Sequence, residues 1–219
     1  SKDETIVRMP FEVRHMGSKY PIFSFDFTGA KRGVLPASYD YLRLEGRMQY
    51  RLNLPPIGYS QLMLEGGKIF GKVPYLLLKL HEGNGTYFYD RYAFSCMNFY
   101  EFSSDAWISF FYEHHFNGFL LGRVPLLKKL NWREVFVFKG VYGTLSARND
   151  GSLPNTKAVM LFPVGMSSVE HPYLETGFGI ENIFRLLRVD CIWRLTHHRA
   201  VPGLSIPTFT VNFSLNLKF

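Results

Sequence analysis

The chain has 219 residues, of which 47% are hydrophobic and 17% aromatic, and it carries a formal net charge of +7 at pH 7. It contains no run of about 18 apolar residues, so the sequence excludes a transmembrane helix. Its basic residues are spread along the whole chain without a nucleic-acid-binding motif, so nucleic acid is not an expected partner.

Several segments alternate apolar and polar residues, the pattern of a β-strand whose two faces meet different surroundings. The most regular internal segment is 41–53, which sets Leu42, Leu44, Met48, Tyr50 and Leu52 against Arg43, Glu45, Arg47, Gln49, Arg51 and Asn53. In chain order, the alternating segments are 5–15, 21–29, 41–53, 185–195 and 205–219. Less regular strands are predicted at 59–71, 106–117, 133–146 and 172–181.

The length of these segments favours a membrane barrel over a soluble β protein. Several run for about 10 to 13 residues, whereas globular strands average about 5 to 6 and a tilted strand needs about 9 to 11 to cross a bilayer. A large soluble barrel or sandwich would explain the alternation, but not the strand length or apolar faces so rich in Phe and Tyr. Charge on the other face fits a polar lumen, and it includes Arg8, Arg14, Arg43, Arg47, Arg51, Arg188 and Arg194. The sequence therefore predicts an all-β fold, a transmembrane antiparallel β-barrel.

The predicted strands number about nine, whereas bacterial barrels almost always have an even number. An open sheet would leave unpaired main-chain groups in lipid, which is very costly. Either this count is wrong by one, or residues 1–219 supply about nine C-terminal strands of a larger barrel of about 16 strands, and we favour the second alternative.

The links between the predicted strands are mostly long on one side and short on the other, as an outer-membrane barrel requires. The outward links are predicted at 30–38, 72–105, 148–171 and 197–207, and the periplasmic links at 16–20, 54–58, 118–132 and 182–183. Link 118–132 is an exception, because it is long for a periplasmic link. Link 72–105 is too apolar to extend into water, so we expect it to fold back into the lumen. Link 148–171 is polar, and we expect it to be mobile.

No catalytic constellation is found, so we expect neither an enzyme nor a cofactor or metal site. His114 and His115 are adjacent, and neighbouring residues of a strand point to opposite faces, so the two cannot easily share a metal ion. Cys96 and Cys191 lack metal-type spacing and are interpreted as two unrelated apolar thiols.

The final segment, 205–219, holds the longest unbroken alternation at its end. From Phe209 onward every odd-numbered residue is apolar and every even-numbered residue is polar. An extended strand of this kind can add to the edge of a receptor's sheet, with alternate side chains in pockets. We therefore predict that Phe213, Leu215, Leu217 and Phe219 form a C-terminal recognition signal, which is read before the barrel folds.

The C-terminal stretch "YLETGFGIENIFRLLRVDCIWRL…TFTVNFSLNLKF" resembles the end of the BamA/TamA superfamily of outer-membrane assembly barrels. The shared pattern is a Gly-rich strand, a tight turn, a strand of the form L-R-V-D-hydrophobic and a terminal strand that ends in an aromatic residue. Upstream, "LMLEGGKIFGKVPYLLLKLHEGNGTYFYDRY" resembles the region that leads into that superfamily's sixth extracellular loop. With "GSKYPIF", "YEHHFNG" and "VPLLKKLNWREV", nearly the whole chain resembles a Bacteroidota outer-membrane family of uncharacterised function, in which a carboxypeptidase-regulatory-like domain precedes a large barrel.

The superfamily resemblance implies a lock inside the barrel. In such proteins the sixth loop folds into the lumen, where an Arg of a V-R-G-F/Y motif pairs with acidic residues on neighbouring strands. This chain has no V-R-G-F; "TYFYDRYAF" occupies the region and offers Arg91, with Asp105 and Glu113 as candidate acceptors. The partner position on the following strand usually carries Asp but here reads Phe138-Lys139, so a lock would be rebuilt. The alternative is that Arg91 is a solvated loop residue.

Three functions remain open at this point. The resemblance favours a factor for assembly or insertion of outer-membrane proteins, and this is an argument by analogy. The alternatives are a channel or accessory barrel of an uptake complex, and a structural anchor for a periplasmic domain. The expected location is the bacterial outer membrane. The expected partners are outer-membrane lipid, lipopolysaccharide and other outer-membrane or periplasmic assembly proteins.

Overall fold

The computed structural model describes residues 20–33, 38–152, 157–169, 171–199 and 205–215, together with the strand backbone of 6–9 and 12–15. The regular secondary structure of this part of the chain is almost entirely β-strand, with three short helical turns, which confirms the predicted all-β class. Among the residues described, no helix is both long enough and apolar enough to cross a lipid bilayer.

Eight strands form one antiparallel sheet, here called the main sheet. They are β3 (Ile22–Ala30), β4 (Tyr41–Asn53), β5 (Tyr59–Gly71), β8 (Ala106–His115), β9 (Arg133–Thr144), β11 (Tyr173–Ile183), β12 (Leu187–Arg194) and β13 (Phe209–Leu215). Each strand lies beside the strand that precedes it in this series, so β3 and β13 are the two edges. The large antiparallel sheet that the alternating segments predicted is therefore confirmed.

The remaining elements are short. β1 (Ile6–Met9) and β2 (Glu12–His15) form a separate antiparallel pair. A small sheet contains β6 (Lys79–Leu80), β7 (Phe102–Ser104) and β10 (Ser167–Ser168), in the strand order β10-β7-β6. The helical turns are Tyr75–Leu77, Leu121–Arg123 and α1 (Pro125–Lys128). Part of the predicted polar link 148–171 is thus tied to the small sheet, because β10 pairs with β7.

The prediction of one long strand over 5–15 is wrong. The structure has two four-residue strands, 6–9 and 12–15, paired with each other from Met9↔Glu12 outward. Pro10 separates them in the sequence, and proline has no N–H to donate to a strand ladder. The described main sheet therefore holds eight strands instead of about nine.

The two faces of the main sheet differ sharply in chemistry. The polar face carries ionisable side chains that are at most 8% exposed: Glu65, Glu113, Lys139, Glu175, Glu181, Arg188, Asp190 and Arg194. The apolar face carries large side chains that are at least 39% exposed: Phe70, Ile108, Tyr142, Phe178, Trp193, Phe209 and Phe213. A soluble protein buries its apolar residues and exposes its charges, so this arrangement is inverted.

Residues 72–105, here called the in-folded segment, cover the polar face. One apolar cluster joins Met63, Phe111, Val141 and Tyr173 of the main sheet to Phe94, Met97 and Phe102 of the segment, with Val169. A second cluster joins Ile69 and Trp107 to Val73 and Leu78. The segment therefore packs on the polar side of the strands, while its predicted place inside a barrel lumen stays a prediction.

The close approach of Gly143 to the in-folded segment gives a first testable prediction. A Cβ atom at Gly143 would lie 2.8 Å from Ser104 Cβ and 3.1 Å from the Ala106 carbonyl oxygen. We expect Gly143→Ala to lower the free energy of unfolding by about 1–3 kcal/mol, because the overpacked contact must move. The midpoint of urea unfolding of the folded protein in detergent measures the change.

Gly122 provides the matched control for this substitution. A Cβ atom at Gly122 would meet nothing within 4 Å. Gly122→Ala should leave the midpoint unchanged or raise it slightly, because alanine restricts the unfolded chain. Equal midpoints for the two variants would contradict the described packing of Ser104 against β9.

Candidate functional site: contacts between the in-folded segment and the polar face

Glu113 on β8 is the centre of the first contact. Arg91 Nε donates to Glu113 Oε2 at 2.7 Å, and the Tyr89 hydroxyl donates to Glu113 Oε1. Arg188 Nη2 on β12 donates to the same Oε1 at 3.1 Å. Glu113 is 1% exposed, so its charge is balanced by these donors with little help from water.

Asp190 orients Arg188 toward that centre. Arg188 Nε lies 2.8 Å from Asp190 Oδ2, and Nη2 lies 2.8 Å from Oδ1. This forked geometry fixes the guanidinium plane. Gly179 on the neighbouring strand leaves the space, because a Cβ atom there would lie 2.9 Å from Asp190 Cγ.

Lys139 on β9 holds the main chain on both sides of Arg91. Its Nζ donates to the carbonyl oxygens of Asp90 at 2.8 Å and Ala93 at 2.6 Å. The Lys139 side chain is fully buried. The strand position that the resemblance assigns to an acid therefore contributes a cation, and its partners are main-chain carbonyls.

Two more carboxylates fix the rest of the segment. Glu175 on β11 accepts from the amides of Ser95 at 2.8 Å and Cys96 at 2.7 Å. Glu101 of the in-folded segment pairs with Arg194 Nη2 of β12 at 2.5 Å. Contacts from three different strands, β8, β9 and β11, therefore reach the stretch between Tyr89 and Cys96.

A further ionic cluster lies nearer the start of the segment. Lys79 Nζ lies 2.6 Å from Glu65 Oε1, and Arg47 Nη2 lies 2.6 Å from Glu65 Oε2. Arg43 pairs with Glu45 at 2.7 Å on the same face of β4. Two arginines that the sequence assigned to the polar face of 41–53 are therefore used in ion pairs there.

Burial keeps two side chains of the in-folded segment neutral. Burial and the nearby charge of Lys79 lower the pKa of His81 to about 3, and its Nε2 lies 2.9 Å from Ser104 Oγ. Burial and the charge of Glu175 raise the pKa of the Cys96 thiol to about 12. A neutral thiol is a weak nucleophile, so Cys96 has the properties of a packing residue.

The structure brings together two of the three predicted lock residues. Arg91 and Glu113 form an ion pair, but Asp105 lies elsewhere and does not bond to Arg91. Asp105 Oδ2 accepts from the Ser146 amide at 3.0 Å and from Asn149 Nδ2 at 3.2 Å. Asp105 therefore fixes the residues that follow β9, because its position just before β8 places it at the same end of the sheet.

Sequence reasoning missed several members of the site. Lys139, Glu175, Asp190 and Tyr89 were not proposed as partners, and Arg188 was assigned only to the polar face. The available signal was their position, since each ionisable strand residue lies on the polar side of an alternating segment. Apart from Arg188 and Asp190, which are neighbours on one face of β12, the partners lie 22 to 80 residues apart in sequence, a pairing that local pattern does not reveal.

The neighbouring histidines point to opposite faces, as predicted. His115 lies on the polar face, with Nδ1 3.1 Å from Glu181 Oε2. His114 lies on the other face and contacts Ser60 Oγ at 2.8 Å. In the described ranges, no three His, Cys, Asp or Glu side chains are grouped so that they could hold a metal ion.

The edge of β13 is in contact with the in-folded segment. The Phe213 amide donates to the Tyr87 carbonyl at 2.7 Å, and the Tyr89 amide donates to the Phe213 carbonyl at 2.7 Å. Asn212 Nδ2 donates to the Thr86 carbonyl at 3.1 Å. Of the predicted recognition signal, Phe213 and Leu215 lie in the described part and are exposed, while Leu217 and Phe219 lie outside it.

A local turn shapes the stretch that meets β13, residues 84–89, here called the tip. Asn84 Oδ1 accepts from the Thr86 amide at 3.0 Å, and Asn84 Nδ2 donates to the Phe88 carbonyl at 2.6 Å. The side chains of Tyr87 and Phe88 remain exposed. The tip therefore presents its main chain to the sheet edge and the rings of Tyr87 and Phe88 to the outside, while the Tyr89 ring points inward to Glu113.

Residues 5–147 match the model of a family described as "Family of unknown function (DUF5686) C-terminal domain". The chain belongs to this family. The matched DUF5686 region covers β1 to β9, and so includes the in-folded segment with Arg91 and its acceptor Glu113. No curated protein matches the chain.

The central position of Glu113 gives a second prediction. Glu113→Gln removes the carboxylate that Arg91 and Arg188 share, and an uncompensated buried charge costs about 3–5 kcal/mol. We expect a lower urea midpoint and faster proteolysis within the in-folded segment, measured on protein folded in detergent.

Two variants separate this effect from general charge loss. Glu82→Gln changes an exposed carboxylate, whose side chain is 65% exposed, and should leave both measurements unchanged. Asp105→Asn should increase cleavage near residue 148 and spare the tip, because Asp105 holds Ser146 and Asn149. Equal behaviour of Glu113→Gln and Glu82→Gln would rule out the central role of Glu113.

Proposed function

We propose that this chain forms part of the wall of an outer-membrane β-barrel in a bacterial cell, and that the barrel assists the assembly or insertion of other outer-membrane proteins. The proposed membrane location rests on the inverted polarity of the main sheet. Its apolar face is exposed and rich in large side chains, whereas its buried face carries the charges. In a bilayer the apolar face contacts lipid and the inversion disappears.

Strand length supports the same placement. Five strands of the main sheet, β4, β5, β8, β9 and β11, are 10 to 13 residues long. A tilted strand needs about 9 to 11 residues to cross the hydrocarbon core. A water-exposed sheet would gain nothing from this length, and its contiguous aromatic face would promote aggregation.

The open edges support a larger barrel. Within the described residues, β3 and β13 pair with only one strand of the main sheet each. Each unsatisfied main-chain group in lipid costs several kcal/mol, so a membrane sheet must close on itself. We propose that further strands join the two edges, giving a barrel of about 16 strands in which these eight are the C-terminal half.

The contact between the tip and β13 supports a function in assembly. The tip already bonds to the main-chain edge of β13 at Phe213, as an added strand would. Edge pairing of this kind is how extended peptides are recognised by sheets. The in-folded segment also covers the polar face through Glu113, Lys139 and Glu175, an arrangement that does not favour an open channel.

Lipid contact is tested by comparing two exposed apolar residues. Phe178 lies on the apolar face and is 60% exposed, while Leu126 lies on α1 outside the sheet and is 81% exposed. Phe178→Arg should cost about 2–4 kcal/mol if the face meets the bilayer, whereas Leu126→Arg should cost nearly nothing. The amount of each variant in the outer membrane and its heat-modifiable mobility in gels report the difference.

A soluble protein would tolerate both arginines. Normal yield and unchanged stability of Phe178→Arg would therefore reject the membrane placement.

The assembly function is tested by depletion in the native bacterium. We expect depletion to lower the amount of other barrel proteins in the outer membrane before growth stops, as measured by proteomics of membrane fractions. Depleted cells are then supplied with a variant of the protein. Asn84→Ala removes the bonds that shape the tip and should restore the barrel proteins less than the unchanged protein does. Asn53→Ala, at an exposed position on β4, should restore them fully. Unchanged barrel proteins on depletion would reject the assembly function, and ion conductance in planar bilayers would favour a channel.

A further inference from the structure

A polar cavity of about 330 Å³ lies on the polar face, next to the turn between β11 and β12. Arginines dominate its wall: Arg91, Arg133, Arg185 and Arg188. His115 and Glu181 complete its charged lining. The cavity extends beyond the Glu113 contact, because Arg133 and Arg185 take no part in holding the in-folded segment.

The guanidinium groups keep unused donors. An arginine has five N–H groups. Arg91 gives Nε to Glu113, and Arg188 gives Nε and Nη2 to Asp190 and Glu113, so Nη1 of Arg188 has no acceptor among the residues described. The structure describes no hydrogen bond or ion pair for the side chains of Arg133 and Arg185 with any residue of the described ranges.

The charges around the cavity do not balance. The four arginines face three carboxylates, Glu181 in the wall and Glu113 and Asp190 behind it, which leaves one positive charge. His115 lies 3.5 Å from Glu113 Oε2 and 3.1 Å from Glu181 Oε2, and adds a second positive charge when it is protonated. Arg188 is 3% exposed, so its charge is shielded from bulk water. The cavity therefore attracts an anion.

We propose that this cavity is a binding site for a phosphate-bearing anion. A phosphate group has several oxygens and up to two charges, which match several guanidinium forks better than a single carboxylate does. The volume leaves room for a small organic group beside the phosphate. The Tyr59 ring lies between His115 of β8, stacked at 4.5 Å, and Arg51 of β4, whose Cζ lies 4.1 Å from the ring centroid, so this stack closes one side of the cavity. The site rests on this geometry alone and does not depend on the proposed assembly function.

Binding is tested on the full-length natural protein, folded in detergent. The probes are inorganic phosphate and glycerol 3-phosphate as free anions, and phosphatidylglycerol in mixed micelles as the lipid source. Isothermal titration calorimetry and the broadening of phosphorus NMR lines measure saturable binding. The test variant is Arg133→Gln/Arg185→Gln, which removes the two unpaired cations and keeps the residues that hold the in-folded segment.

The control variant is Arg148→Gln/Arg199→Gln, which removes the same charge from two exposed arginines outside the cavity. We expect saturable binding that weakens at least about tenfold in the test variant and is unchanged in the control, because charge-assisted bonds are lost only at the cavity. Binding of the free anions assigns a soluble ligand, and binding of the lipid alone assigns a headgroup. Absence of saturable binding by all three probes, or equal loss in both variants, overturns the proposal.

Discussion

The structure depends on pairing the charges that the main sheet buries. Removing one partner of a buried ion pair leaves a charge that neither water nor the fold can compensate. The strands supply Glu113, Lys139 and Glu175, but their partners come largely from the in-folded segment. That segment brings Arg91 to Glu113, two carbonyls to Lys139 and two amides to Glu175. The polar face and the segment therefore stabilise each other, and neither arrangement is favourable alone.

The same pairing explains the distribution of small residues on the polar face. Gly143 admits Ser104 of the in-folded segment, and Gly179 admits the carboxylate of Asp190. A side chain at Gly143 would displace Ser104, and one at Gly179 would displace the Asp190 carboxylate from Arg188. The tip then reaches the edge of β13, where the N–H and C=O of Phe213 bond to Tyr87 and Tyr89. One segment thus neutralises the charges of the buried face and also occupies part of the edge of β13. It therefore links the interior of the proposed barrel to that edge strand.

Much of the fold could be predicted because a strand has a period of two. Alternation located the strands around β4, β12 and β13 and assigned Arg43, Arg47 and Arg188 to the polar side, where the structure places them. The error at 5–15 has the same origin, since alternation continues across a hairpin and does not mark where a strand reverses. The resemblance indicated Arg91 and Glu113 correctly as neighbours. Its third candidate, Asp105, is also acidic and also near β8, but it faces a different loop.

By itself, the sequence determined the all-β class, the positions of most strands and which side of each strand carries charge, because these follow from local side-chain order. Only the tertiary structure decided which charges meet. Lys139 binding to carbonyls, Glu175 binding to amides and the tip lying on β13 all join residues far apart in the chain. Such pairs depend on the register and curvature of eight strands and on the path of the segment that crosses them. None of these three properties is encoded in a single stretch of residues.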